Sequence, residues 1–222
     1  MSAAEEAAAP GAGRSWFPPV PVPSTRRERQ HALADQLRDL VPAVLRLDVE
    51  AADVVSLEQA EEVLAAAARL LGALPDVPGG AGAGTGLGGL FERSPLSGRS
   101  NALAAPLTMW EDGEHTRARA TYGAAYEGPP GCLHGGMVMA AFDDVLGVAQ
   151  AASGTAGMTG TLSVRMIRPT PLHEPIDYVA GVTARSGRKV EVWGRSTHDG
   201  ELLAEAEAVF VTPRPGAFPR PQ

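Results

Sequence analysis

The chain has 222 residues, of which 44% are hydrophobic, and a formal net charge of -7. Its length and apolar content suffice for one domain with extensions, or for two small domains. The acidic balance argues against general binding to nucleic acids or to anionic membranes, because such binding needs a basic surface.

The first residues and the cysteine content indicate a cellular location. Acidic residues stand near the N-terminus, where a secretory signal has basic ones, and no apolar segment follows them. No window approaches 18 uninterrupted apolar residues, so we expect no transmembrane helix. Cys132 is the one cysteine. It allows no internal disulfide and fits a reducing cytoplasm, so the prediction is a cytoplasmic protein.

The first 90 residues form an extension that carries no recognisable chemistry. Residues 1–23 predict a flexible arm rich in alanine and proline, in which the segment "WFPPVPVP" packs either on its own domain or on a partner. Residues 24–74 predict a helical extension that packs on the main domain or on a second subunit. Residues 75–90 predict a glycine-rich linker.

Two amphipathic helices are predicted within the extension. The first begins at Ser24 or Thr25 and should end or kink at Pro42. The second begins at Ser56, which forms a capping-box pattern with Gln59, and runs to about residue 71.

The pattern of the chain changes between residues 91 and 212, where a single domain is predicted, followed by a proline-rich tail at 213–222. Two strands, 106–112 and 115–123, flank a turn at Asp112-Gly113, which is a strong hairpin signal. A helix over 135–152 follows. Four further strands are predicted over 160–169, 176–186, 189–199 and 201–211. The order β-β-α-β-β-β-β predicts an α+β domain in which one long helix packs on an antiparallel sheet.

The segment "GPPGCLHGGMVMAAFDDVLG", residues 128–147, combines a glycine-rich loop with the start of this helix. One side of the helix is apolar, with Val138 and Phe142 among its residues, and the opposite side has small residues and Asp143. Free N–H groups at Gly135 and Gly136 favour a polarised carbonyl oxygen at the helix N-terminus. Asp143 lies roughly 10 Å further along.

These two features are tools for acyl transfer. Backbone N–H groups can stabilise an oxyanion, and a carboxylate can activate water or attack the substrate directly. The alternative is that Asp143 is an exposed residue or a buried structural hydrogen-bonding group.

The same segment, followed by "TLSVRMIRPTPL", resembles the hotdog-fold acyl-CoA thioesterases, the superfamily of the phenylacetate-pathway and 4-hydroxybenzoyl-CoA thioesterases. The matching residues are His134, Gly135, Gly136, Asp143 and Thr161. The upstream segment "SPLSGRSNALAAPL" also looks like the entry to the first strand in relatives with this loop. The resemblance covers residues 91–212 and implies an antiparallel sheet wrapped around one central helix.

The resemblance also implies roles for individual residues. The backbone N–H of Gly136 is the oxyanion donor, Asp143 is the nucleophile or general base, and Thr161 orients the attacking water. Thr159 and Ser163 are alternatives for Thr161.

Two further assignments concern the neighbours of these residues. Asp144 is the alternative to Asp143, and since it lies about 100° further round the helix, the two cannot point the same way. His134 is interpreted as fixing the loop by a hydrogen bond rather than as a general base, with Gly135 beside it at the substrate.

The sequence departs from its relatives at one position and leaves the phosphate contacts open. Many relatives carry Asn or Gln six residues before the histidine, where this chain has Gly128, so a group that polarises the carbonyl could be missing. Arg165 and Arg168 are candidates to hold the phosphates of coenzyme A, or else they lie on solvated strand faces. The histidines show no metal-ligand spacing, and no metal or cofactor is expected.

The resemblance implies hydrolysis of an acyl thioester of coenzyme A or of an acyl carrier protein, as in lipid metabolism. It also implies a homodimer, or a dimer of dimers, in which the HGG segment and the carboxylate of one active site come from different subunits. A dehydratase or hydratase on the same fold is one alternative. A non-catalytic acyl-thioester-binding or assembly protein is the other.

Overall fold

The computed structural model describes residues 24–76, 92–105, 107–154 and 157–214. The arm over 1–23 lies outside the described residues, as do most of the predicted linker and most of the predicted tail.

The extension forms two helices, α1 (Thr25–Leu45) and α2 (Val54–Gly72). The side chain of Ser24 caps α1 by accepting the N–H of Arg27 at 3.2 Å. Pro42 lies inside α1, so the helix does not end there, and of the two predicted effects only a kink stays a prediction. The last turn still closes, because the carbonyl of Pro42 accepts the N–H of Arg46 at 3.2 Å and a proline removes only its own donor.

The start of α2 also differs from the sequence prediction. Asp53 is the N-cap, and its carboxylate accepts the N–H of Ser56 at 2.9 Å. Ser56 is therefore a residue of the first turn rather than the cap. The hydrogen bonds from Ser56, the largest cause, lower the pKa of Asp53, because they favour the charged form of the carboxyl.

The six strands form one antiparallel sheet in the order β1-β2-β4-β5-β6-β3. The strands follow one another along the chain in the predicted order. They are β1 (Thr108–Asp112), β2 (His115–Thr121), β3 (Met158–Met166), β4 (Pro175–Ser186), β5 (Lys189–His198) and β6 (Glu201–Val211). Gly113 has φ of 63° in the predicted hairpin turn between β1 and β2, a conformation that suits glycine. In the described residues β1 and β3 are the two edges of the sheet.

The helix α3 (Gly135–Ala152) packs on the sheet, mainly against β4 and β5. Its bounds and the prediction of one long helix on an antiparallel sheet are confirmed. The predicted apolar side is buried, with Phe142 and Leu146 fully inside. Gly194 on β5 allows this close approach, because a Cβ there would lie 2.9 Å from Leu146 Cδ2.

A buried tyrosine pair lies in the core beside α3. The hydroxyl groups of Tyr122 and Tyr178 are 2.9 Å apart, and the Phe142 ring packs edge-on against Tyr178 at 5.6 Å. Burial raises the pKa of Tyr122 to about 12, so both hydroxyls stay neutral and the pair satisfies polar groups that would otherwise be unpaired.

Polar contacts attach α1 to the segment before β1. The Glu92 carboxyl forms hydrogen bonds with His31 and with Ser100, whose Oγ donates to it at 2.5 Å. Arg38 Nη2 donates to the carbonyl of Arg99 at 2.8 Å. Burial acts to raise the pKa of Glu92, but the bonds from Ser100 and His31 and the nearby Arg27 charge outweigh it, so the pKa is lowered.

The second helix has no comparable attachment to the described residues. None of its residues is buried, and Val63 and Leu70 are among its exposed apolar side chains. None of the described helices is long and apolar enough to cross a bilayer.

Candidate active site

His134 is the N-cap of α3 and holds the first turn of the helix. Its Nδ1 accepts the N–H of Gly136 at 3.0 Å, and its carbonyl accepts the N–H of Met137 at 2.8 Å. The hydrogen bond from Gly136 requires that Nδ1 of His134 carry no proton, so the neutral imidazole has its proton on Nε2. Among the described residues, no partner accepts the N–H of Gly135, and that donor is available at the helix N-terminus.

The loop before α3 is fixed by its own hydrogen bonds. The N–H of His134 donates to the carbonyl of Tyr126 at 2.9 Å. The Glu127 carboxylate accepts the N–H of Gly131 at 2.6 Å, and Gly131 has φ of 73°. Glu127 therefore stabilises the loop itself.

The fold explains why Gly128 stands where relatives carry a polar side chain. A Cβ at this position would lie 2.7 Å from the Cα of His134. That distance is shorter than backbone atoms tolerate, so this loop conformation excludes Asn or Gln at position 128.

Asp143 is half-buried on α3 and has one side-chain partner. The hydroxyl of Thr159 donates to Asp143 Oδ1 at 2.7 Å. This leaves Oδ2 of the carboxylate for a water molecule or a substrate. The hydrogen bond fixes the orientation of the carboxylate, which a general base or nucleophile requires.

The structure brings Thr159 to Asp143 and places Thr161 elsewhere. The pairing of β3 with β6 shifts between Thr159 and Thr161, where Gly160 forms an irregularity. Such a bulge reverses the alternation of side chains. Leu162 then packs on the core, and Thr161 lies on the outer face of the sheet.

The remaining predicted residues of β3 also lie away from Asp143. Ser163 and Thr161 line a shallow cavity of about 290 Å³ on the outer face. Arg165 lies 3.8 Å from the Glu205 carboxylate and Arg168 lies 3.7 Å from that of Glu201. The guanidinium groups of Arg165 on β3 and of Arg168 beyond its end are therefore both paired with carboxylates of β6.

Asp144 has a different environment from Asp143. Its carboxyl is buried, and its Oδ2 has no hydrogen-bond partner among the described residues. Burial raises the pKa of Asp144, the charge of Asp143 raises it further, and the hydrogen bond from Ser97 opposes the change. A carboxyl in this setting resists ionisation, so Asp144 is the poorer candidate for a carboxylate that acts as base or nucleophile.

The predicted oxyanion donor and the predicted base are far apart within one chain. Gly136 and Asp143 are seven residues apart on α3, which corresponds to roughly 10 Å along the helix axis. An attacking atom and an oxyanion donor must both lie within about 3 Å of the reacting group. One chain therefore cannot supply both groups to one substrate carbonyl.

The described residues contain no cluster of His, Cys, Asp or Glu that could hold a metal ion. Sequence reasoning named Thr159 only as an alternative to Thr161, and it gave His134 a loop-fixing hydrogen bond without naming Gly136 as the partner. It missed the hydrogen bond of Ser97 to Asp144. Ser97 lies in the upstream segment that the resemblance included, which was the available signal for this contact.

Comparison with known structures identifies the family. A crystal structure of a thioesterase superfamily protein is 34% identical, with a TM-score of 0.72, over 82% of this chain and 94% of that one. The chain belongs to the thioesterase superfamily. The predicted resemblance and the hotdog fold are thereby confirmed. Residues 91–222 are less than two thirds of the chain, so the match necessarily includes part of the N-terminal extension.

Other thioesterase structures are more distant. A phenylacetic acid degradation-related protein from Ralstonia eutropha is 23% identical, with a TM-score of 0.45, over 48% of this chain and 85% of that one. A thioesterase protein from Streptococcus pneumoniae, solved with coenzyme A, is 14% identical, with a TM-score of 0.45, over 47% and 86%. No family model matches the chain.

Proposed function

We propose that this thioesterase superfamily protein hydrolyses an acyl thioester of coenzyme A, or of an acyl carrier protein, to the free acid and the thiol. The observation that supports this most is the half-buried Asp143 carboxylate, which the Thr159 hydroxyl orients at 2.7 Å. It lies on the same helix whose N-terminus presents Gly135 and Gly136. Thr159 takes the role that the resemblance gave to Thr161.

In this mechanism two subunits form each site. The substrate carbonyl lies at the N-terminus of α3 of one subunit, beside Asp143 of the other. This arrangement brings Gly136 of one subunit near Asp143 of the other, although the two residues are roughly 10 Å apart within one chain. The active unit is then a homodimer or a multiple of it.

The carbonyl oxygen becomes an oxyanion at the N–H of Gly136, which now donates to His134 Nδ1. The oxyanion replaces the imidazole as acceptor, since a charged oxygen is the stronger partner. The N–H of Gly135 is a second donor at this end of the helix. His134 thereby keeps the donor satisfied and oriented until the substrate arrives.

Asp143 acts as general base or as nucleophile. As base it takes a proton from water, the oxygen attacks the thioester carbon, the C–S bond breaks, and the proton passes to the leaving sulfur. As nucleophile its oxygen forms an anhydride with the acyl group while the thiol leaves, and water then cleaves the anhydride. Label found in Asp143 after single turnover in ¹⁸O-labelled water identifies the second route, because it requires water to attack the aspartyl carbonyl of the anhydride.

The test is free-thiol release from short, medium, long and aromatic acyl-CoAs by the wild type and by Asp143→Ala. We expect release by the wild type and a loss of roughly 10²–10⁴-fold in the variant, with the fold intact by circular dichroism. Unchanged release by the variant contradicts the role of Asp143.

A second candidate is a non-catalytic binder of acyl thioesters. Gly128 favours it, because the loop lacks the polar side chain of relatives. Binding of an acyl-CoA without any thiol release, from the wild type, would support this alternative against hydrolysis.

A further inference from the structure

A cleft of about 370 Å³ lies between the N-terminal helix α1 and the 3-10 turn Ala124–Tyr126. Its volume falls in the range of small-molecule sites. The described lining residues from α1 are Arg38, Val41, Pro42 and Arg46; the others are Ala102, Leu103, Thr121, Gly123, Ala124, Ala125, Tyr126 and His173. The cleft exists only because the extension docks on the domain.

Two arginines line this cleft in a chain that is acidic as a whole. Arg46 and Arg38, the latter paired with Asp35, are its charged residues, and no Asp or Glu is among its described lining residues, although the chain has a net charge of -7. The side chain of Arg46 has no ion pair or hydrogen bond with the described residues. A guanidinium without a partner is available to an anionic ligand.

Arg38 and Arg46 form a spaced pair of cations. They are eight residues apart on one side of α1, roughly 12 Å along its axis, with Pro42 between them. Arg38 is held in place by Asp35 and by the carbonyl of Arg99. A ligand that uses both arginines therefore needs anionic groups at two separate positions and a compact body between them.

The cleft is connected to the candidate active site. Tyr126 lines the cleft, and its carbonyl accepts the N–H of His134, the cap of α3. The alternative phosphate contacts, Arg165 and Arg168, are paired with glutamates, as Arg38 is with Asp35. Arg46 has no such partner among the described residues, and this favours α1 as the source of a phosphate contact.

We propose that this cleft binds the nucleotide end of coenzyme A, with Arg46 and Arg38 at its two phosphate groups and the adenine against the apolar wall. The 3′-phosphate and the 5′-diphosphate of coenzyme A leave the ribose at separate positions, as the spaced arginines require. The inference rests on the proposed function in that the nucleotide belongs to the thioester substrate. It specifies coenzyme A rather than a carrier protein.

The test compares one acyl group on coenzyme A and on pantetheine, which lacks the nucleotide. In Arg46→Gln we expect KM for the acyl-CoA to rise about tenfold, the effect of one lost charge-assisted hydrogen bond, with kcat unchanged. The pantetheine thioester should show no change. Arg29→Gln removes the same charge from α1 outside the cleft, and both KM values should stay at the wild-type level.

Two results overturn the proposal: an unchanged KM for the acyl-CoA, or an equal rise for both thioesters. Should neither thioester be hydrolysed, the proposed function fails, and calorimetry with coenzyme A itself decides the inference. Binding to the wild type that weakens about tenfold in Arg46→Gln supports the cleft. No binding, or equal affinity in both proteins, refutes it. Competition by 3′,5′-ADP, but not by a medium-chain fatty acid, distinguishes the nucleotide from an acyl chain as occupant.

Discussion

Asp143 and Asp144 are adjacent in sequence, and their partners assign them different chemistry. Both are half-buried, but the Asp143 carboxylate accepts a hydrogen bond from Thr159, whereas Oδ2 of Asp144 is buried without a partner among the described residues. Asp144 points about 100° further round the helix than Asp143. This difference in direction turns its carboxyl toward the protein interior, whereas the carboxyl of Asp143 is open to a ligand. The predictions at this scale compare neighbouring residues.

Thr159 and Thr161 form one such pair. Thr159→Val removes the bond that orients the Asp143 carboxylate, so kcat should fall about 10- to 100-fold, the effect of a hydrogen bond to a charged group. Thr161→Val changes a residue of the outer face and should leave kcat within about threefold of wild type. Steady-state thiol release measures both, and a larger loss in Thr161→Val would reverse the assignment.

Asp144 predicts a pH effect on folding. Its pKa is raised in the folded protein, so above the ordinary value of 3.8 the unfolded chain loses a proton that the folded chain keeps, and stability falls as pH rises. Asp144→Asn has no such proton. The free energy of unfolding of this variant, measured relative to that of the wild type, should therefore increase as pH rises above about 4. Urea titrations at several pH values measure this difference. A gap that closes with rising pH would contradict the raised pKa of Asp144.

Gly128 predicts an effect of backbone packing. Gly128→Ala places a methyl group 2.7 Å from the Cα of His134, which should cost about 1–3 kcal/mol of stability. Gly72→Ala is the control, because a Cβ there meets nothing within 4 Å at the end of a helix. Thermal unfolding compares the two, and equal melting temperatures would show that the loop has room.

At the scale of elements, the extension is attached through a few polar groups. Glu92 accepts from His31 and Ser100, and its pKa is lowered. The stabilisation is present above the ordinary value of 4.5 and is lost as pH falls. Glu92→Gln should loosen α1 and speed its hydrogen exchange at pH 7, whereas Glu58→Gln on the exposed α2 should not. Equal protection of α1 in both variants would mean that other contacts hold it.

The elements themselves were predictable from local patterns, and their contacts were not. The alternation in the strands and the helical spacing from Gly135 to Ala152 are properties of short segments. Each of these elements could therefore be predicted from its own residues. The cap of α2 moved from Ser56 to Asp53, since several residues nearby can cap a helix and only the fold selects one. The bulge at Gly160 selects Thr159 over Thr161, and the cleft at Arg46 depends on how α1 docks. These features arise from tertiary packing.

At the scale of the molecule, the proposed mechanism requires two subunits for each site. Gly136 and Asp143 are separated by roughly 10 Å along one helix, so in this proposal each acts with its counterpart from another chain. The free edge strand β3 carries Thr159 and the exposed Met158 and Met166. An edge with unpaired backbone groups can pair with a second copy, which would bring the two sites together.

Complementation between inactive subunits tests this account most directly. Asp143→Asn removes the proposed base, and Gly136→Pro removes the N–H donor in the first turn of α3, where no hydrogen bond within the helix is lost. Each alone should reduce thiol release at least about hundredfold. Co-expressed together, they should recover about a quarter of wild-type activity, because about half of the dimers are mixed and each mixed dimer contains one intact site. A co-expressed protein that is no more active than its parents would contradict a site shared between subunits.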